Sequence, residues 1–232
     1  MKHIQTILLP IMAIFLTTTC VDAASITGKV VYEGAVPNLK PISMDADPIC
    51  SAKHDAPVLP DVLVLGEGNS MANILVYVSG VSGDFPVPEE EIVLDQEGCR
   101  YEPHVIGIQA GQKLKILNPD GTLHNIHALP KINAEFNMAM PKFKKKMVRS
   151  FDKAESVFPI KCDVHPWMSA WVAVFDHPFF SVTQKDGVFT IDGLSAGAYE
   201  IVAWHEKLGE QKFSVTVGAD ETKTLDVTFK KP

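Results

Sequence analysis

The chain has 232 residues, 46% of them apolar and 21% charged, with a formal net charge of −7 at pH 7. That balance excludes an intrinsically disordered chain, which would be too polar to close a core. It also excludes nucleic acid as a partner, because phosphate binding needs a concentrated basic face.

In chain order, Met-Lys-His leads into the apolar stretch Ile7 to Leu16, too short to cross a bilayer and laid out like a secretory signal. Val21 and Ala23 are the small residues that precede a signal-peptidase cut, so residues 1–23 are expected to be a signal peptide and the mature protein periplasmic or secreted. A lipid anchor on Cys20 is the competing reading, but Leu-Thr-Thr-Thr-Cys matches a lipoprotein signal poorly. Beyond residue 25, short alternating runs separated by Gly, Pro, Asn and Asp predict an all-β fold. Candidate strands cover residues 25–32, 62–65, 74–78, 104–108, 113–118, 148–151, 156–161 and 171–175. The C-terminal part adds 187–191, 199–205, 211–217 and 222–229. Residues 133–140 mix small and apolar side chains and predict an irregular or helical piece. The basic run Lys142 to Arg149 reads first as a solvated strand edge or loop and second as a docking patch for an acidic partner.

Cysteine arithmetic narrows the chemistry. If Cys20 leaves with the signal, three cysteines remain in a compartment that favours disulfides, and an odd count leaves one without a partner in the chain. Cys50 and Cys99 stand in turn-like contexts and are expected to pair, whereas Cys162 ends an apolar strand pattern and is followed closely by His165 and Met168.

The stretches Tyr101-Glu-Pro-His-Val, Ala110-Gly-Gln-Lys-Leu-Lys-Ile-Leu-Asn-Pro-Asp120, Leu123-His-Asn-Ile-His127 and Cys162-Asp-Val-His-Pro-Trp-Met168 together resemble the plastocyanin-like cupredoxins. The cysteine loop is most similar to that of the amicyanins. The resemblance covers about residues 92–176 and implies a Greek-key copper domain over 91–176. Its ligands would be His124, Cys162, His165 and Met168, with Asn125 bracing the cysteine loop. It also implies that His165 reaches the surface within an apolar patch formed with Pro166 and Trp167, the exit for an electron.

The residues agree without the resemblance. One soft thiolate, two imidazoles and a weak thioether are the ligand set of a blue-copper electron-transfer site. Cys162, His165 and Met168 share one seven-residue loop, and Pro166 stiffens the path to Met168. Zinc is the rival metal, but it prefers a closed set of Cys and His, and methionine serves it poorly. His127 competes with His124 for the first histidine position; three residues apart on a strand, the two point to opposite faces. His104, His177 and His205 occupy separate segments and read as packing or hydrogen-bonding histidines, and Met138 and Met140 as loop packing. No nucleophile elbow, phosphate-cradling loop or His-Glu-x-x-His motif is present, so an enzyme is not expected.

A second resemblance frames the first. Asp186-Gly-Val-Phe-Thr-Ile-Asp-Gly-Leu-Ser-Ala-Gly-Ala-Tyr-Glu-Ile is similar to the central motif of the carboxypeptidase regulatory-like domains, and Thr27-Gly-Lys-Val-Val-Tyr-Glu-Gly-Ala-Val-Pro37 to their opening strand. It implies a prealbumin-like sandwich split into residues 25–90 and 177–232, with the copper domain inserted between. The function expected is one-electron transfer between redox protein partners. Copper storage or delivery, and an envelope interaction protein with a structural copper site, are the alternatives.

Overall fold

Burial on every second residue through Ala24–Glu33 makes this segment a half-buried strand, β1. The computed structural model describes residues 23–231. The expected signal peptide, up to residue 22, and Cys20 with it lie outside the described residues. After β1 come the short helix α1 (Pro48–Ser51), β2 (Leu75–Ser79), β3 (Ile92–Leu94), β4 (Val105–Gln109), β5 (Leu114–Leu117) and β6 (His124–Ala128). They are followed by β7 (Phe136–Met140), β8 (Lys146–Arg149), β9 (Glu155–Lys161), β10 (Ser169–Phe175) and β11 (Phe180–Val182). The chain ends through β12 (Val188–Leu194), β13 (Gly197–His205), β14 (Gly209–Val217), β15 (Thr222–Thr224) and β16 (Val227–Lys230). The fold is all-β.

Four sheets form two sandwiches. In the inner one, the sheet β3-β5-β8 faces the sheet β4-β10-β9-β6-β7 across a core that includes Leu94, Ile108, Ile116, Ile126, Phe158 and Val172. In the outer one, β12-β1-β15, with β16 also on β1, faces β11-β2-β13-β14 across Ile26, Val76, Phe189, Ile201 and Phe229. Strands β1 and β2 thus precede the inner sandwich in sequence yet pair with strands that follow it, β1 with β12, β15 and β16, and β2 with β11 and β13.

The two sandwiches pack on each other through a third apolar cluster. Strand β10 reads Ser-Ala-Trp-Val-Ala-Val-Phe because both its faces are covered: Ala170, Val172 and Val174 enter the inner core, while Ala173 and Phe175 meet Leu75 and Val105 between the sandwiches. Trp171 meets Trp204 edge-on across the same seam, and the His104 ring bonds the Glu206 carboxylate. Gly107 on β4 is what lets the sheets come this close. A Cβ there would stand 2.5 Å from the ring of Phe180, which is itself stacked on Phe175 at 4.7 Å.

Several expected elements differ. Residues 133–140 are not irregular or helical: Phe136–Met140 is a strand hydrogen-bonded to β6. Its Phe-Asn-Met-Ala-Met run does alternate, but Ala139 is a small apolar residue on the exposed face and hides the period. Residues 62–65 form no strand beyond a single bridge from Leu65 to Met71, and 222–229 breaks into β15 and β16. The segment around α1, read as part of the regulatory-like half, instead sends Met44 and Cys50 into the core of the inner sandwich.

Two outcomes follow for stability. Gly107→Ala should destabilise by about 1–3 kcal/mol through overpacking of the seam, lowering Tm by several degrees in a thermal melt. The Glu155 carboxyl is pushed up by burial, but the backbone N–H groups of Lys131, Ile132 and Asn133 and the Asn133 amide hold it below the usual carboxylate range. A depressed pKa contributes stability that is present above the unfolded-state value and lost as pH falls through the folded one. Glu155→Gln should therefore be less stable than the parent above about pH 5 and converge with it in acid, read by denaturant unfolding across pH.

Candidate metal centre

The site lies where β6 begins and β9 ends. The turn before β6 is shaped by Asn118, whose amide donates to the carbonyls of Met140 at 2.7 Å and Thr122 at 3.2 Å. It delivers His124 as the first residue of β6, opposite Met140 on β7, with its side chain fully buried. Cys162 follows the last residue of β9, and the loop after it closes on itself: Met168 N donates to His165 O at 2.9 Å, and Cys162 N to Met168 O at 3.3 Å.

Asn125 fastens the two segments together. Its Oδ1 accepts from the backbone N–H of Asp163 at 2.7 Å and of Val164 at 3.4 Å, and lies 3.2 Å from Cys162 Sγ. Its Nδ2 donates to Asn137 Oδ1 at 2.7 Å. The hydroxyl of buried Tyr101 donates to the Asn125 carbonyl.

The result is a buried trio. One ligand atom from each of His124, Cys162 and His165 lies within 4.8 Å of the others. His124 Nδ1 stands 2.9 Å from His165 Nδ1, and Cys162 Sγ stands 3.7 Å from His165 Nδ1 and accepts the His165 backbone N–H at 3.4 Å. Met168, from the same loop, is buried in the inner core, which also holds Cys162, at 1% exposure.

Both imidazoles are held from behind by carboxylates. Asp120 Oδ2 lies 2.9 Å from His124 Nε2, and Asp47 Oδ2 lies 2.9 Å from His165 Nε2. A carboxylate at Nε2 places the ring proton there and turns the Nδ1 lone pair inward. Two ring nitrogens 2.9 Å apart beside a thiol sulfur need a proton or a metal ion between them, and the donor set of two imidazoles and a thiol fits a soft metal ion. The same atoms also attract a proton. Burial raises the Cys162 thiol, but the bond from His124 and the backbone N–H groups around the sulfur bring it down to about 7. Burial also opposes the charge on His124, yet Asp120 and Cys162 draw its pKa upward. Asp120 is buried too, but His124, Lys53 and the N–H groups of Cys99 and Gly98 hold it well below the carboxylate range.

The two carboxylates were not among the expected site residues. Asp120 stands in the Asn-Pro-Asp turn, four residues before His124, and is cradled by the N–H groups of Gly98 at 3.1 Å and Cys99 at 2.8 Å. Both of those residues adopt positive φ, at 66° and 54°, so the tight turn needs glycine at 98. Asp47 caps α1 by accepting from the N–H groups of Ile49 and Cys50 through Oδ1. Cys50 and Cys99 are joined as a disulfide, which ties α1 to the turn that cradles Asp120.

One expectation is corrected here. His165 does not reach the surface: it is 1% exposed, because Asp47 and Cys50, brought in by the disulfide, lie over its Nε2 edge. Pro166 is exposed, but Trp167 is half-buried and donates its indole N–H to Cys99 O at 3.0 Å. The apolar exit patch of His165, Pro166 and Trp167 is therefore closed at its centre.

The remaining candidates stand apart. His127 lies on the outer face of β6 between Asp163 and Glu135. His104 is bound to Glu206, while His177 and His205 accept nearby backbone N–H groups. Met140 Sδ takes the Gln96 amide at 3.1 Å, and Met138 Sδ takes the Arg149 guanidinium. Among the described residues, every group of three possible metal-binding side chains includes His124 or His165, and in two of the three groups the cysteine is already in the disulfide.

The chain matches no protein-family model and no curated protein. Among solved structures, a mutant amicyanin with Cu(I) is similar at 21% identity and TM-score 0.33, over 97% of that chain and 43% of this one. Amicyanin from Paracoccus versutus (Thiobacillus versutus) is similar at 24% identity and TM-score 0.32, over 96% of that chain and 43% of this one. A purple cupredoxin from Nitrosopumilus maritimus is similar at 20% identity and TM-score 0.30, over 98% of that chain and 36% of this one.

Proposed function

We propose that this is an exported type 1 copper protein that passes single electrons between redox protein partners. The observation that carries the reading is the convergence of His124 Nδ1, His165 Nδ1 and Cys162 Sγ in one buried cluster, with each imidazole oriented by its own carboxylate. Those three atoms would hold the ion, with Met168 as the weak axial ligand. Copper bound there would supply a one-electron Cu(I)/Cu(II) couple.

The residues present suit a carrier. Asn125, Tyr101, Asp120 and Asp47 fix the donor atoms before any ion arrives, which keeps rearrangement small when charge changes. All four donors are 3% exposed or less and would all be taken up by the ion, which suits outer-sphere electron transfer. The same burial disfavours storage or delivery, since a metal meant to be handed over needs an accessible edge. The outer sandwich, whose strands flank the inner one in sequence, fits a regulatory-like support, and the apolar stretch Ile7 to Leu16 fits export.

Addition of Cu(II) to the purified protein should give an intense visible thiolate-to-copper band. Cys162→Ser should abolish it and His124→Ala should severely weaken or abolish it, while His127→Ala should leave it in place. Asp120→Asn should keep the band but weaken copper affinity about 10–100-fold, because the ring of His124 loses its anchor. A parent protein that binds copper without the band, or a Cys162→Ser variant that retains it, would falsify the proposal.

A further inference from the structure

His165 and His124 are both covered, so an electron must cross a layer of protein, and the bonded contacts on the His124 side supply one route. Strand β7 ends beside His124, and the turn into β8 crosses from one sheet of the inner sandwich to the other at this end. That turn carries Lys142, Phe143, Lys144 and Lys145, and Lys146 opens β8. Phe143 is 81% exposed, the highest value for any large apolar side chain among the described residues. No acidic residue lies between Glu135 and Asp152, in a chain whose net charge is −7.

The loop is coupled to the centre by short contacts. Asn118 N donates to Lys145 O at 3.0 Å, and Lys145 Nζ donates to Asp120 O at 3.1 Å. The Asp120 carboxylate then bonds His124 Nε2 at 2.9 Å. Leu123, immediately before His124, is 42% exposed and adds apolar surface next to the ring's own strand. An aromatic side chain with ammonium groups on both sides in sequence is suited to an acidic protein surface that offers an apolar notch.

We infer that the lysine-flanked Phe143 turn is the docking surface for an acidic redox protein, and that electrons exchange through the Asp120–His124 side of the centre. The electron path rests on the copper reading; the docking surface does not. A lipid surface is the weaker occupant, because one aromatic side chain gives little apolar area to insert.

The test uses the whole mature chain, reduced after copper loading, mixed in stopped flow with ferricytochrome c whose lysines have been succinylated. Runs at about 0.01 M and about 1 M salt span Debye lengths of about 30 and 3 Å. The bimolecular rate of the parent should fall at least about tenfold over that range. The triple variant K142E/K144E/K146E, which spares Lys145 and its bond to Asp120, should lose at least about tenfold at low salt and reverse the salt slope while its visible band is unchanged. Phe143→Ser should slow the reaction several-fold with the salt slope retained. A triple variant as fast as the parent at low salt overturns the inference, and so does a parent that reacts faster with unmodified, basic cytochrome c. Charge-dependent binding to phosphatidylserine vesicles with no change in the cytochrome rate also overturns it, in favour of a membrane. Calorimetric binding of the metal-free chain to the succinylated cytochrome reads the docking alone. Salt-sensitive binding lost in the triple variant, in a protein that never develops the blue band, upholds the surface and refutes the electron-transfer reading.

Discussion

The inward aim of two imidazoles, each fixed from behind by a carboxylate, is the constraint around which the rest of this molecule is arranged. Asp120 and Asp47 occupy the Nε2 atoms of His124 and His165, so that both Nδ1 atoms face Cys162. Neither carboxylate is free to wander. Asp120 is locked by two backbone N–H groups of the Gly98–Cys99 turn and by Lys53 at 2.6 Å, and Asp47 is locked by the cap of α1. The Cys50–Cys99 bond then joins those two supports across 49 residues of sequence. Cross-linking a loop of that length lowers unfolded-state entropy by an amount equivalent to about 4 kcal/mol in the chain-entropy model. One covalent bond therefore stabilises the fold and holds both carboxylates in register with their histidines.

The sandwiches supply stiffness at longer range. Strand β10 leaves the cysteine loop at Ser169 and is buried on both faces, so the loop's C-terminal anchor cannot shift without disturbing two cores. Trp171 and Trp204, with His104 and Glu206, add polar and aromatic contacts along the same seam. A centre hung from such a strand resists reorganisation because the surrounding interior is close-packed, and packed interiors deform reluctantly.

How much of this was legible in the sequence depends on how local each signal is. The all-β class and most strands are visible because alternation and turn residues are read over a few positions, as in β1 and β13. Cys162, His165 and Met168 are visible for the same reason, being spaced along one loop, and Asn125 is visible beside His124. Asp120 appears in a turn that can be read, yet nothing local says that its carboxylate folds back onto a ring four residues later. Asp47 is harder still: it lies 118 residues from His165 in sequence, and the disulfide, Met44 in the core and the Thr122 hydroxyl on its carboxylate bring the two together. The exit patch was misjudged for this reason. Surface exposure of His165 is a statement about what does not cover it, and the covering segment comes from a distant stretch that reads as belonging to the other sandwich.

That covering segment changes what the centre can be used for. An imidazole open at the surface lets any partner of suitable shape approach within a few ångströms, so selectivity rests on the patch around it alone. Under Asp47 and Cys50, His165 is removed from contact, and His124 is equally buried behind Asp120, whose carboxylate serves both it and Lys53. In the proposed carrier a partner would be recognised by charge before it comes near the centre, and the concentration of lysines at the β7–β8 turn, in an otherwise acidic chain, would provide that recognition. For such a carrier, burial of both histidines and the lysine-marked turn would be two halves of one arrangement: the first would suppress exchange with arbitrary partners, and the second would restore it for a partner of opposite charge.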